Sequence, residues 1–70
     1  MIPIKFVDIG KECVIKRVSG SQEVKKHLEN LGFTVGAHAT VINTLGGNII
    51  VKIKESRVAI DCEMANKILI

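Results

Sequence analysis

Neither tryptophan nor tyrosine occurs among these 70 residues, and Phe6 and Phe33 are the only aromatics. Proteins that hold single-stranded nucleic acid stack bases on aromatic side chains, so that class is left without its usual platform. With 47% hydrophobic residues but so few rings, a core has to be built from Ile, Val and Leu. That composition favours a small β-rich barrel over a helical bundle. Cysteine is almost as scarce: Cys13 and Cys62 stand alone, outside any Cys-x-x-Cys pair. No cationic, apolar, small-residue leader is apparent, and a reducing, cytoplasmic setting is expected. The longest apolar run falls far short of the roughly 20 residues that span a bilayer. Any membrane contact is therefore expected to go through another protein. Proline occurs once, at Pro3, and no linker, repeat or low-complexity stretch divides the chain. Residues 1–70 read as a single domain, and a chain this short buries only about 60% of the surface its unfolded form exposes.

Ten Lys and Arg against seven Asp and Glu give a formal charge of +3. So mild an excess permits an acidic partner without demanding one. The most informative stretch is His27 to Gly36. Val24, Leu28 and Leu31 fall at i, i+4 and i+7, an apolar stripe on a helix of about Gln22 to Leu31 whose other face carries Lys25, Lys26, His27, Glu29 and Asn30. Gly32 supplies the left-handed residue that ends such a helix, and Gly36 gives a second backbone freedom before strand-like Ala37 to Ile42. Ser19 with Gln22 has capping-box spacing, and Ser21 competes as the cap.

Ile2 to Phe6 reads as an edge segment or entry loop, and Asp8-Ile9-Gly10 as a turn into a first strand, Glu12 to Val18. Val14, Ile15 and Val18 break strict alternation there, which a bulge or strong bend would reconcile. Leu45-Gly46-Gly47-Asn48 is a hairpin signal leading into Ile49 to Lys54, where Val51 and Ile53 alternate with Lys52 and Lys54. Glu55-Ser56-Arg57 then turns into a short strand, Val58 to Ile60, expected to lie across the barrel. Asp61 can cap one helical turn over Cys62 to Asn66, and Ile68 to Ile70 forms a last strand. The expectation is a mainly all-β chain: a small, closed or nearly closed barrel of about five strands with one inserted short helix and a C-terminal helical turn.

Chemistry-bearing constellations are few. Cys13, Cys62, His27 and His38 would formally make a tetrahedral metal set, but structural zinc sites bring their ligands in local pairs, and here each stands alone. The cysteines are expected among core residues, and no metal ligand or cofactor is assigned. No Gly-x-Ser-x-Gly elbow, phosphate-binding glycine loop or His-Glu pair at helical spacing occurs, so no catalytic residue is assigned. Asp61 and Glu63 suit the dipole of a helix N-terminus. Gly10 to Val18 is similar to the opening strand of small ribosomal and translation-factor barrels, yet Lys16, Arg17, Lys25, Lys26, Lys52 and Lys54 are equally a solvated surface.

Taken together, Lys26-His27-Leu28-Glu29-Asn30-Leu31-Gly32-Phe33-Thr34-Val35-Gly36 and Arg57 to Ile70 resemble the FeoA family along the whole chain. Leu28, Leu31, Gly32, Phe33 and Gly36 fall on its helix-stop pattern. Val58, Ala59, Ile60, Ala65, Ile68 and Ile70 fall on its C-terminal pattern. The resemblance implies an SH3-like barrel with an inserted helix, a non-enzymatic cytoplasmic accessory to FeoB, the membrane GTPase that imports ferrous iron. Alternatives are a basic barrel that binds nucleic acid and the SH3-like regulatory domain of a repressor. Three positions depart from the family: Ile9 and Val35 stand where proline is common, and Glu55, expected to keep φ negative, where glycine is. A partner surface is expected at Lys25, Lys26 and His27 around an apolar anchor of Leu28 and Phe33, unless those two face the core. Exposed strand edges leave self-association open.

Overall fold

The broken alternation at Val14 and Ile15 marks the place where one strand becomes two. In the computed structural model, which describes residues 1–70, β1 (Glu12–Val14) and β2 (Arg17–Val18) belong to different sheets. β1 pairs antiparallel with β3 (His38–Leu45), Cys13 opposite Ala39, whereas β2 pairs with β6 (Ile68–Leu69), Arg17 opposite Leu69. Ile15 sits between them. Its N–H donates to the Ala37 carbonyl at 2.9 Å and its carbonyl accepts from Gly36 at 2.7 Å, while the next N–H, of Lys16, donates to Leu69 at 2.8 Å. The bend is the reading that holds, and the division raises the strand count to six.

Around β3, the first sheet runs β1-β3-β4-β5, with β4 at Asn48–Ile53 and β5 at Ser56–Asp61. β3 and β4 join through a two-residue turn at Gly46 and Gly47, both with positive φ as a primed turn requires. The register shifts between Val41 and Asn43, so Ile42 is an extra residue, and Gly10 donates its N–H to the Val41 carbonyl beside this bulge. Two expectations change here. Lys54 is not a strand residue: its φ of 56° makes it the first residue of the turn that sets Ile53 opposite Ser56, with Glu55 second and free of positive φ. β5 does not cross the barrel but lies beside β4 for six residues, because Val58 and Ile60 alternate with Arg57, Ala59 and Asp61 and so keep one face inward.

Helix α1 (Gln22–Asn30) begins at Ser21, whose side chain accepts the Val24 N–H; Ser19 bonds the Lys67 carbonyl instead. It ends in a complete Schellman motif. Gly32, at φ 105°, donates to Glu29 at 2.9 Å, and Phe33 donates back to Leu28 at 2.9 Å. The side chains of Leu28 and Phe33, the pair this motif brings together, are 0% and 1% exposed. They join Ile4, Ile15, Val41, Val51, Ile53, Ile68 and others in a single twelve-residue core. After β5, Asp61 caps α2 (Cys62–Asn66) by accepting the Met64 N–H at 2.8 Å. β6 follows and is paired on both sides, by β2 and by the N-terminal segment. Ile2 and Ile70 exchange backbone hydrogen bonds of 3.0 and 2.9 Å, Pro3 bridges Leu69, and Ile4–Phe6 form a single 3-10 turn.

The chain makes two further turns of one kind. Asp8 accepts from Lys11 at 3.2 Å around Ile9 and Gly10, and Thr34 accepts from Ala37 at 3.0 Å around Val35 and Gly36. Each glycine sits third with φ near that of a type II turn, at 85° and 90°. Ile9 and Val35 thus occupy the second position, where proline is favoured, and the N–H of neither donates a hydrogen bond.

Two predictions follow from these geometries. A Cβ at Gly32 would meet Ile53 at an ordinary 3.5 Å, so the cost of Gly32→Val is conformational; it should destabilise the domain by more than about 1 kcal/mol in chemical denaturation. An unchanged midpoint would contradict the helix-stop reading. Ile9→Pro and Val35→Pro should each stabilise by about 0.4–1 kcal/mol by restricting the unfolded chain, and a loss of stability in either would show that its turn is not of this type.

Candidate functional site

On α1, the amphipathic stripe turns Leu28 inward and leaves the basic residues outside. Lys25 is half-buried, and Lys26 and His27 are exposed. Leu28 and Phe33 are not surface anchors. The Schellman closure presses them together under the helix, and exposing either would open the core at its helix-facing side. The apolar residue that does face solvent here is Val35, 70% exposed at the second position of its turn. Between it and the helix lies a groove of about 330 Å³ lined by Val18, Lys25, Glu29, Phe33, Thr34 and Val35. Lys25 and Glu29, one helical turn apart, stand on its helix side. Lys26 and His27 lie outside the lining, so the structure brings only Lys25 of the basic run to the groove.

A second groove, of about 310 Å³, lies near the chain ends and was not legible as a site from the sequence. Ile2, Phe6, Val7 and Ile70 supply its apolar wall, with Lys11 and Glu12 at its polar side. Phe6 is 64% exposed, and the Lys5 ammonium stands 5.1 Å from its ring centroid, within cation–π range. The available signal was the aromatic itself. One of only two phenylalanines in the chain falls in a segment with neither strand nor helix periodicity, where nothing forces it inward.

The four candidate metal ligands are dispersed, and no three His, Cys, Asp or Glu side chains come together. Cys13, half-buried on β1, points its thiol at the Ala39 carbonyl 3.3 Å away. Burial pushes the pKa of that thiol up and neighbouring Glu12 adds in the same direction, so the metal-binding thiolate is disfavoured. Cys62 is exposed rather than part of the core, because it opens α2 on the solvent side, with the Lys5 ammonium 3.7 Å from its sulfur. His38 Nδ1 lies 3.4 Å from a Glu12 carboxylate oxygen across the β1–β3 pair, and both side chains are exposed. His27 is exposed on α1. Asp61 is occupied as a helix cap.

Comparison with known proteins bears on the fold and on the family. A Methanocaldococcus jannaschii protein described as Fe(2+) transport protein A is 29% identical over 70 residues, covering 100% of this chain and 85% of that one. The crystal structure of an iron uptake regulatory protein, FeoA, superposes with a TM-score of 0.88 at 24% identity, covering 96% of this chain and 89% of the other. Stenotrophomonas maltophilia FeoA in complex with zinc, described as an SH3 domain protein, gives 0.80 at 18% identity over 94% and 85% of the two chains. A manganese-dependent transcriptional repressor gives 0.85 at 17% identity, but only 38% of its length is covered. At these identities the structures share the SH3-like fold. The family model described as the FeoA domain matches residues 2–70, from the strand pair at the chain ends through every element between them, and the chain belongs to that family.

Proposed function

We infer that this protein is a non-enzymatic accessory of ferrous iron uptake that acts in the cytoplasm by binding the cytoplasmic region of the FeoB membrane GTPase. The observation that carries this reading is the FeoA-domain match over residues 2–70, supported by the iron-transport description of the M. jannaschii relative. No helix is long and apolar enough to cross a membrane, which accords with a partner that supplies the membrane-spanning part. The barrel needs no metal or cofactor of its own for this role, since ferrous iron is the cargo of the transporter.

The interface we propose is the α1 groove. Val35 and Val18 provide the apolar contact, Lys25 stands at the wall, and Lys26 extends the positive charge along the helix, with exposed His27 beside it. Leu28 and Phe33 hold the groove's shape from below. An apolar contact beside unpaired lysines suits a protein surface, because burial supplies affinity and charge supplies steering. The second groove favours an alternative location for the same function, since Ile2 and Phe6 expose more apolar surface than Val18 and Val35 do.

Calorimetry with the purified FeoB cytoplasmic region tests both. Lys25→Glu with Lys26→Glu should leave the fold intact and weaken binding about tenfold at low salt, with a smaller loss at high salt. Val35→Asp should weaken it in a salt-independent way, and Phe6→Asp should leave it unchanged. Loss of binding through Phe6→Asp alone would move the interface to the second groove. A wild-type chain that binds no FeoB region but binds nucleic acid would overturn the assignment.

A further inference from the structure

The sheet ends in a strand that nothing covers. β5 pairs only with β4, and no backbone or side-chain hydrogen bond reaches its outer edge. Elsewhere the fold does cover its edges: the N-terminal segment lies along β6, and β1 is only three residues long before the chain bends away into β2. β5 runs for six residues, Ser56-Arg57-Val58-Ala59-Ile60-Asp61, without proline, glycine or a bulge. A straight, open edge of that length is a template for a further strand.

We propose that the partner is a second copy of this chain, joined edge to edge through β5 about a two-fold axis. Backbone groups that point outward alternate along a strand, so an antiparallel two-fold pairing has to centre on a residue. Centred on Ala59, the pairing sets Arg57 opposite the partner's Asp61 and Asp61 opposite the partner's Arg57 on the solvent face. On the core-facing side it sets half-buried Val58 opposite the partner's Ile60. The two alanines meet at the axis, where small side chains impose no clash. Centred on Val58, the same strands would set Arg57 opposite the partner's Ala59 and Ser56 opposite the partner's Ile60. Centred on Ile60, they would overlap less and leave Arg57 beyond the strand. One register alone satisfies charge and apolar pairing together, and the sequence of β5 is self-complementary in it. The result joins two four-stranded sheets into one continuous sheet of eight. Asp61 keeps its helix-capping role, since one carboxylate oxygen accepts from Met64 and the other is free for the guanidinium.

This surface is separate from both grooves, so its test does not depend on the transporter reading. Sedimentation equilibrium of the full chain should show a reversible dimer, and amide exchange of the outward-facing β5 residues should slow as concentration rises. Ala59→Lys places two ammonium groups face to face at the axis and should weaken dimerisation at least about tenfold. Residue 59 is exposed in the single chain, so an NMR fingerprint that matches the dilute, dissociated wild type away from residue 59 serves as the folding control. Arg57→Glu, which sets like charges opposite each other, should weaken it most at low salt. A chain that stays monomeric at millimolar concentration, or that dimerises regardless of Ala59→Lys with unprotected β5 amides, would overturn the proposal. So would a monomer that accepts a foreign extended peptide along β5.

Discussion

Two sheets share one strand, and the sharing happens at Ile15. Its N–H and carbonyl are spent on Ala37 and Gly36, and one residue later the backbone turns to Leu69. The Ile15 side chain, fully buried, fills the inside of that bend. Without this handover β6 would be left with the N-terminal segment alone, and nothing would tie that pair to the four-stranded sheet through β2. The bend also divides the surface. β1 contributes Cys13 and Glu12 to one groove and β2 contributes Val18 to the other, so the two concave surfaces are the two flanks of a single bent strand.

What could be read in advance was local. Gly32, the paired glycines of the hairpin and the cap at Asp61 each encode a conformation within four or five residues, and each is found where the pattern sets it. The division of Glu12 to Val18 was legible only as broken alternation, because its cause is two separate partners that lie far along the chain. Lys54 reads as strand from its alternation with Ile53, yet the two-residue turn needs a positive φ there and the side chain gives no sign of it. Leu28 and Phe33 are the instructive case. Apolar residues beside lysines fit an anchor or a core, but a helix stop at Gly32 pairs these two positions by geometry, and that pairing buries them. The location of a partner surface depends on which side chains remain outside after such pairings are made. Spacing alone does not settle that.

Electrostatics adds little to the stability of this barrel and much to its exterior. No lysine or arginine lies within salt-bridge distance of a carboxylate, His38 and Glu12 make the one exposed contact of that kind, and no polar side chain is left unsatisfied inside. Apart from Lys5, which stands over Phe6 and against Cys62, the basic residues are uncommitted, and an excess charge of +3 faces outward. Exposed charges of this kind act on encounter rates and solubility more than on folding. Ile9 and Val35 also concern the exterior: both sit on turns that glycine already directs, and both leave a large apolar side chain in solvent.

Ile2 and Ile70 are hydrogen-bonded neighbours, so a polypeptide enters and leaves this domain at one point. A unit with that property can be spliced into a longer chain at a single surface loop without separating what lies on either side of it. The repressor, in which the same architecture occupies 38% of the molecule, shows the fold at work as a part. The pairing of Ile2 with Ile70 that completes the barrel thus also makes it portable.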